Sequence, residues 1–304
     1  MVITVTLNPA MDRTLTIDNF DIGKVNRANT VRYDVGGKGI NVSKVLKNFG
    51  IESICMGFLG GIWEEAIKKE LKCRNIKEAF ISIKGSTRTN TKIVDNINKV
   101  YTDINEPGPI ISQYELDSFI KQFEEHCNSG DIVVLSGGVS SSIPENIYGV
   151  LTKIAKRKGA IVILDAEDVL LKEGIEEKPD IIKPNDHEIA KLFGIDSSNS
   201  EQINEAVNKL RSSGIKKVLV SLGVHGATYT TEKGNYYEKG IHVPVRSTVG
   251  AGDSMVAAIV YGIINNYEDS KTLRFANASG AVSVSLEGTE ACTLEQVSQL
   301  FNNI

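Results

Sequence analysis

Short apolar runs alternate with helical patterns through the second half of this 304-residue chain, and this alternation restricts the fold more than any other feature. Residues 132–135, 161–164 and 217–221 are largely apolar, which indicates strands buried on both faces. Helical patterns over residues 114–127, 144–158 and 201–211, each before one of these strands, would cover a mostly parallel sheet, so the chain is predicted to be an α/β protein. Ligands of such sheets bind at the carboxyl ends of the strands. Small and polar residues follow the predicted strands at that edge: Ser136, Gly137, Asp165, Lys183, Asn185, Ser221 and Gly223.

The composition excludes several classes of protein. A formal net charge of −4 gives no broad positive surface for a nucleic acid or an anionic membrane. No apolar run approaches the roughly 18 residues that a membrane helix needs. The four cysteines form no Cys-x-x-Cys pair, which fits a reducing cytoplasm. Since the sequence shows no repeat or linker, we expect a single globular unit.

Three helices are predicted at the end of the chain, over residues 252–266, 271–285 and 293–303, and a glycine-rich turn precedes the first of them. Gly250, Ala251 and Gly252 let backbone amides approach a ligand, and the start of the helix offers unpaired N–H groups to a phosphate. Asp253 could accept a proton from a substrate hydroxyl while these amides hold the charge on the attacked group. Acids are also favoured in the first turn of any helix, so Asp253 could equally serve the helix alone.

A second glycine-rich turn, residues 36–41, also leads into a helix. Its glycines surround Lys38, which could bind an anion, and Asn41, which could bind hydroxyls. The turn lacks the Gly-x-Gly-x-x-Gly spacing of dinucleotide-binding loops and the Gly-Lys-Ser/Thr ending of a Walker loop. Three glycines around one lysine exceed what close packing needs, which favours a binding loop over a purely structural turn.

Polar strands in the first third of the chain predict a small sheet inserted into the main domain. Residues 11–17, 87–95 and 99–105 alternate in polarity, and the last two form a predicted antiparallel hairpin. Asp12 could orient a polyol, or it could stabilise the turn before it. Arg88 could hold a phosphate through its planar guanidinium, although most arginines on such strands are only solvated.

Residues 185–188 allow two interpretations. Asn185 and Glu188 share the first turn of a predicted helix, which suits a hydrated Mg²⁺ bound by a carboxylate, waters and phosphate oxygens. The same spacing is that of a capping box. Zinc hydrolysis is excluded, because Lys191 stands where a His-Glu-x-x-His motif needs its second histidine.

The two glycine-rich turns together resemble those of the PfkB-type carbohydrate kinases, which have the ribokinase-like fold, and the resemblance covers essentially the whole chain. Residues 6–12 and 103–108 are similar to the branch that phosphorylates ketohexose monophosphates. The resemblance implies a three-layer α/β/α sandwich with a mostly parallel central sheet and a small inserted β-sheet lid. It implies one kinase domain over 1–304, with the lid at about 11–34 and 88–106.

The implied reaction is ATP-dependent phosphorylation of D-fructose 1-phosphate to fructose 1,6-bisphosphate, with tagatose 6-phosphate as the alternative substrate. Asp253 would be the base, and the anion hole for the γ-phosphate would comprise Gly250, Ala251 and Gly252. The sugar side would comprise Asp12, Gly37, Lys38, Gly39, Asn41, Arg88, Asn90, Ser136 and Gly137. Among these, Lys38 and Arg88 are the candidates for the phosphate already on the sugar. The nucleotide side would comprise Lys183, Asn185, Ser221, Gly223, Gly226, Ser247 and Val249.

The implied cofactors are ATP and Mg²⁺, with Glu188 and Asn185 acting through the metal ion. Some relatives also bind a monovalent cation such as K⁺ near the loop that matches Ser247 and Val249, but the late turn 286–290 departs from their pattern. A homodimer formed through the lid is expected, and neither nucleic acid nor membrane is an expected partner. Two other functions remain open: a non-catalytic nucleotide or sugar sensor, and a dinucleotide-dependent oxidoreductase, which the glycine spacing disfavours.

Overall fold

The computed structural model describes residues 1–302 of the chain. Within them the strands are β1 (Val2–Thr6), β2 (Ala10–Ile17), β3 (Thr30–Gly36), β4 (Ser53–Gly60), β5 (Lys77–Ile83), β6 (Arg88–Asp95), β7 (Val100–Ile104), β8 (Ile132–Ser136), β9 (Ile161–Asp165), β10 (Ile181–Ile182), β11 (Lys217–Ser221), β12 (Gly226–Thr231) and β13 (Gly234–Lys239). The α-helices are α1 (Lys38–Asn48), α2 (Glu64–Cys73), α3 (Gln113–His126), α4 (Ile147–Arg157), α5 (Asp168–Ile175), α6 (Asp186–Phe193), α7 (Ser200–Ser212), α8 (Ala251–Ile264), α9 (Asp269–Val284) and α10 (Leu294–Asn302).

Nine strands form the central sheet in the order β13-β12-β11-β10-β9-β8-β1-β4-β5. All pairs from β11 to β5 are parallel, and only β12 and β13 are added antiparallel at one edge. The chain leaves β1 toward β4 on one side and returns to β8 on the other. Such a reversal opens a crevice at the carboxyl ends of the two central strands, which is where α/β proteins bind ligands.

Two hydrophobic cores lie on opposite faces of this sheet. On one face, strand residues such as Val5 and Leu135 pack against α3 to α7. Alternate residues such as Val134 and Leu219 pack against α1, α8, α9 and α10 on the other. The predicted three-layer arrangement is confirmed, because strands that are buried on both faces need helices on both sides.

A separate four-stranded sheet has the order β3-β2-β6-β7. A third core, which includes Met11, Val35, Ile67 and Phe80, packs the base of this small sheet against β4, β5 and α2. The predicted hairpin of β6 and β7 is present and antiparallel. The parallel pairing of β2 with β6 was not predicted, and it joins segments that lie about 80 positions apart in the chain.

Other sequence predictions differ from the structure in detail. Strand β5 and helix α5 were not predicted, and residues 61–63 form a 3₁₀ turn before α2. The three last predicted helices correspond to α8, α9 and α10 with small shifts at their ends, and position 303 of the last lies outside the described residues. No helix among residues 1–302 has both the length and the apolar character needed to cross a bilayer.

Candidate active site

A cavity of about 750 Å³ lies between the small sheet and the carboxyl edge of the central sheet. Most of its wall consists of residues that follow parallel strands, together with the start of α8. The small sheet contributes the opposite wall through β2, β3, β6 and β7. Residues of both glycine-rich turns line this one cavity.

The turn before α8 depends on Gly250, which has φ 84° and forms the N-cap of the helix without a side-chain hydrogen bond. Because this backbone conformation is strained for residues with a Cβ, glycine is needed there. The first N–H groups of a helix have no partner inside the helix, so they are available to an anion in the cavity. Asp253 is in this first turn and is 5% exposed.

The other turn reaches Asp253 through Asn41. The Asn41 Nδ2 donates to Asp253 Oδ2 at 2.9 Å, and the Asn41 Oδ1 is buried without a protein partner. Gly37 permits this approach, because its φ is 125° and a Cβ there would lie 2.6 Å from the Thr6 Cγ2. Thr6 also accepts a hydrogen bond from the Ile40 N–H at 3.0 Å, which fixes the start of α1 against β1.

A buried charge cluster lies beside the proposed base. Asp165, 2% exposed at the end of β9, places its Oδ1 3.2 Å from Lys183 Nζ and 3.8 Å from Lys38 Nζ. Burial disfavours the Asp165 charge, but Lys183 and Lys38 outweigh burial and lower the pKa of Asp165. Asp165 in turn is the main cause that raises the pKa of Lys38.

The pKa of Asp253 is unusually high for an aspartate. Burial, reinforced by the negative charge of Asp165, raises the pKa of Asp253 to about 6. The hydrogen bond from Asn41 and the charges of Lys38 and Lys183 act in the opposite direction without cancelling burial. A carboxylate with a pKa close to the working pH can both accept and release a proton, as a general base must.

The small sheet presents a second polar pair to the cavity. The Asn90 Nδ2 donates to Asp12 Oδ1 at 3.0 Å across the β2–β6 pairing, and the Asn90 Oδ1 is buried without a protein partner. Burial raises the pKa of Asp12 despite this hydrogen bond. Arg88 also lines the cavity, but its guanidinium donates to the Glu106 carbonyl at 2.9 Å and the Asn8 carbonyl at 3.1 Å.

Asn185 and Glu188 form the capping box that was one of the two interpretations of their spacing. The Asn185 Oδ1 accepts from the Glu188 N–H at 2.7 Å, and the Glu188 Oε2 accepts from the Asn185 N–H at 2.8 Å. Both residues also line the cavity, and burial raises the pKa of Glu188. The capping role therefore leaves one Glu188 oxygen available to a cation, whereas the Asn185 oxygen is already engaged.

Residues 5–296 match the model of a family described as pfkB family carbohydrate kinase. The chain belongs to the PfkB family of carbohydrate kinases. The 1-phosphofructokinase of Bacillus subtilis (strain 168) is 36% identical over 304 residues, covering 100% of this chain and 98% of the relative. A tagatose-6-phosphate kinase of Staphylococcus epidermidis (ATCC 12228) is 33% identical over 308 residues, with coverage of 100% and 98%.

The fold is also that of solved PfkB kinases. The tetrameric inhibited form of phosphofructokinase-2 from Escherichia coli aligns with a TM-score of 0.92 and 25% identity, covering 99% of this chain and 98% of that one. The predicted ribokinase-like fold is thereby confirmed. As a PfkB kinase, the enzyme uses ATP and a divalent metal ion to phosphorylate a carbohydrate.

The predicted site residues of this PfkB kinase fall into two groups. Those that line the cavity are Asp12, Gly37, Lys38, Asn41, Arg88, Asn90, Gly137, Lys183, Asn185, Glu188, Ser221, Val249, Gly250, Gly252 and Asp253. Those placed outside its wall are Gly39, Ser136, Gly223, Gly226, Ser247 and Ala251. Gly39 packs against β1, where a Cβ would lie 2.5 Å from the Thr6 Oγ1, and Gly226 packs against Glu238 and Gly240 of the β12–β13 hairpin. These two glycines serve backbone packing.

Several lining residues of the kinase were absent from the predicted site. They are Thr6, Asn8, Thr14, Lys92, Asp103, Asn105, Asp165 and Glu167, with Thr248 and the late turn at Gly288 and Thr289. Asp165 could have been predicted from the sequence, because it ends an apolar strand at the predicted binding edge. Lys92 had a weaker one, since it follows Asn90 by two residues and therefore shares its face of the strand.

Proposed function

We propose that this enzyme transfers the γ-phosphate of ATP to the C6 hydroxyl of D-fructose 1-phosphate, giving fructose 1,6-bisphosphate and ADP. The observation that carries the proposal is the hydrogen bond between Asn41 and Asp253. It joins the sugar-binding turn to the start of α8 within one cavity, so that a sugar held by the first turn meets the base of the second. The relative from Bacillus subtilis supports the choice of fructose 1-phosphate.

The proposed mechanism is a direct in-line transfer. The sugar oxygen bonds to the γ-phosphorus while the bond from that phosphorus to the β,γ-bridging oxygen breaks, and the hydroxyl proton passes to Asp253. The amides of Gly250, Ala251 and Gly252 stabilise the charge on the transferred group. Asp12, Gly37 and Asn41 orient the sugar hydroxyls. Closure of the small sheet over the site would exclude water, which would otherwise compete as the acceptor.

The nucleotide would lie along the carboxyl ends of β10 and β11. Lys183, Asn185 and Ser221 line the cavity there, and Gly223, Ser247 and Val249 belong to the adjoining loops. Lys183 is close to both Asp165 and the start of α8, since a Cβ on Gly252 would lie 3.2 Å from its Nζ. This position suits a lysine that contacts phosphate oxygens near the transferred group.

The residues fit a hydrated Mg²⁺ that is bound mainly through the nucleotide. Among residues 1–302 there is no cluster of three or more acidic, histidine or cysteine side chains that could hold an ion alone. Glu188 is a single partly buried carboxylate, and Mg²⁺ commonly uses one or two carboxylates with waters and phosphates. When bound, the ion would neutralise charge on the phosphates. A K⁺ ion near Ser247 and Val249 is kept as part of the proposal, since Gly288 and Thr289 of the late turn line the cavity and the Glu287 ion pairs with Arg246 and Arg32 are exposed.

We also propose that the small sheet is a lid and that two copies of the chain pair through it. Its face away from the cavity exposes apolar side chains: Val31, Tyr33, Val100 and Ile104. An exposed apolar patch on a sheet is typical of an interface. The tetrameric form of the Escherichia coli relative shows that this fold assembles. A cytoplasmic location is proposed because all four cysteines are unpaired thiols.

Tagatose 6-phosphate is the second candidate substrate, favoured by the 33% identity to the staphylococcal kinase. The test is a panel of sugar phosphates and free sugars assayed by coupled ADP release, with phosphorus NMR to locate the new phosphate. We expect the highest kcat/KM for D-fructose 1-phosphate and a product phosphorylated at C6. Preference for tagatose 6-phosphate would select the alternative, and binding without ADP release would indicate a sensor.

A further inference from the structure

The helix that follows the Lys38 turn contains a second lysine, which is buried. Lys44 lies in the middle of α1 and is 5% exposed. Its Nζ donates to the carbonyl of Val35, and this is the only hydrogen bond of that ammonium among residues 1–302. An ammonium has three donors, and taking its charge out of water is costly unless the charge is paired. The fold therefore contains a buried charge at a position where an apolar residue would avoid that cost.

The carbonyl that Lys44 binds belongs to the peptide between Val35 and Gly36, at the end of β3. Gly36 pairs with Ala10, so this peptide lies beside the start of β2. A Cβ on Gly36 would lie 2.1 Å from Asp12 Oδ2 and 2.7 Å from Asp12 Cγ. The Asp12 carboxyl group therefore occupies the space that a side chain at position 36 would fill, next to the peptide that Lys44 holds.

Lys44 and Asp12 also interact through their charges. Burial is the main cause that raises the pKa of Asp12, and the positive charge of Lys44 acts against burial. Burial likewise lowers the pKa of Lys44, and the negative charge of Asp12 opposes that change. Each group favours the charged form of the other, so the buried ammonium offsets part of the cost of a buried carboxylate.

Lys44 is not the only charged group near Asp12, but it differs from the others in its place. The charged groups that act on Asp12 or Lys44 from neighbouring elements are Asp34 of β3, Glu70 and Arg74 at the end of α2, and Arg88 of β6. Arg88 lines the cavity, whereas Lys44 lies behind its wall. A sugar in the cavity can therefore contact Arg88 directly, and Lys44 can act on it only through Asp12.

We propose that Lys44 is a positioning residue for the sugar: its ammonium fixes the peptide against which the Asp12 carboxylate lies and keeps a positive charge behind that carboxylate. An ionised carboxylate accepts stronger hydrogen bonds from hydroxyl groups than a protonated one. Lys44 therefore strengthens sugar binding without contacting the sugar. The inference rests on the proposed function, in which Asp12 orients the sugar hydroxyls, and extends it to a residue outside the cavity.

Two neutral replacements, Lys44→Met and Lys44→Gln, remove the charge. Their dissociation constants for D-fructose 1-phosphate, measured by calorimetric titration, should exceed the wild-type value by about tenfold at about pH 5 and approach it at about pH 8, because more Asp12 is protonated in the variants. The sugar phosphate also titrates in this range, but the ratio of variant to wild type removes that contribution. Lys44→Arg keeps the charge and should bind nearly as the wild type does throughout.

Asp12→Asn tests whether Lys44 acts through Asp12. Asparagine has the same shape but cannot ionise, so adding Lys44→Met to Asp12→Asn should cause no further loss of affinity at any pH. The control is Lys47→Met, since Lys47 is on the same helix and outside the cavity, and it should bind as the wild type does. A loss of affinity in Lys44→Met that is the same at every pH, or that persists in the Asp12→Asn background, would overturn the inference.

The stability of the variants separates this role from a purely structural one. Lys44→Met should melt no lower than the wild type, because replacing a buried charge by an apolar residue is often neutral or stabilising. If neither neutral variant folded, Lys44 would serve the fold itself and the inference would be wrong.

A further measurement needs neither sugar nor turnover, so it separates failure of this inference from failure of the proposed function. The carbon-13 signal of the Asp12 carboxyl group, identified by its absence in Asp12→Asn, should titrate at a higher pH in Lys44→Met than in the wild type. Equal titration in the two proteins would exclude the role of Lys44 whether or not the protein is a kinase. A wild-type protein that binds D-fructose 1-phosphate without phosphorylating it would end the kinase proposal alone.

Discussion

Burial disfavours the negative charge of Asp253, so the proposed role of Asp253 as the base predicts that activity depends on pH. Burial and the nearby Asp165 raise its pKa to about 6. A protonated carboxyl group cannot accept the proton of the sugar hydroxyl, so kcat/KM should fall about tenfold per pH unit below pH 6 and level off above it. A pH profile of kcat/KM at saturating ATP checks this. A profile that stays flat down to pH 5 would contradict it.

Replacement of Asp253 provides the control for the pH profile of kcat/KM. Asp253→Asn should reduce turnover by about 10²- to 10⁴-fold while ATP still binds. Because the pKa of Asp253 is raised in the folded protein, the wild type loses stability as pH rises from about 4 to 6 and the carboxyl group becomes charged. An asparagine carries no such charge, so the variant should melt no lower than the wild type at pH 8. The matched control is Asp269→Asn, because Asp269 is a buried aspartate at the start of α9 that binds Lys217 and Thr231. This variant should have a lower melting temperature and an unchanged turnover.

At the scale of elements, Asp95 joins two loops at the outer end of the small sheet. Its carboxylate accepts from the Phe20 N–H at 2.8 Å and from the Ile97 and Asn98 N–H groups at 3.0 Å. These hydrogen bonds lower the pKa of Asp95. Asp95→Ala should therefore speed hydrogen exchange at these amides by at least about fivefold and raise KM for the sugar phosphate, because a lid must be ordered to close.

The matched control for Asp95 is Asp196→Ala. Asp196 accepts from the N–H and hydroxyl of Ser198 in the loop between α6 and α7, outside the small sheet. Its replacement should speed exchange locally and leave KM for the sugar phosphate unchanged. Equal KM values for wild type and Asp95→Ala would show that order at the outer end of the small sheet does not affect sugar binding.

At the scale of the whole molecule, the exposed apolar face of the small sheet predicts a dimer. Val31 and Ile104 lie on the face opposite the cavity, since they alternate with cavity-side residues of β3 and β7. The double variant Val31→Asp/Ile104→Asp should halve the mass measured by light scattering, because four carboxylates would meet in the interface. Ile264→Asp, at the far end of α8, should leave the mass unchanged. A wild-type protein that is already monomeric would refute the dimer.

Local patterns in the sequence account for much of the main domain. Apolar runs predicted strands β8, β9 and β11, and 3.6-residue patterns predicted α3, α4 and α7. In these elements the positions of the apolar side chains in the sequence match the faces that are buried. Strand β5 was missed because it is an edge strand that begins with Lys77 and Glu78. Helix α5 was missed because it has only eight residues and contains Gly174.

The features of the candidate site also fall into those that the sequence predicted and those that only the structure revealed. The sequence by itself determined the two glycine-rich turns and Asp253, since a positive φ and a helix start leave marks within a few residues. Only the tertiary structure decided that Asn41 contacts Asp253, that Asp165 helps to raise the pKa of this proposed base, and that β2 pairs with β6. It also placed Arg88 on backbone carbonyls and left Lys92 facing the cavity. These relations join residues far apart in the chain, and no local pattern encodes them because they arise from long-range packing and electrostatics.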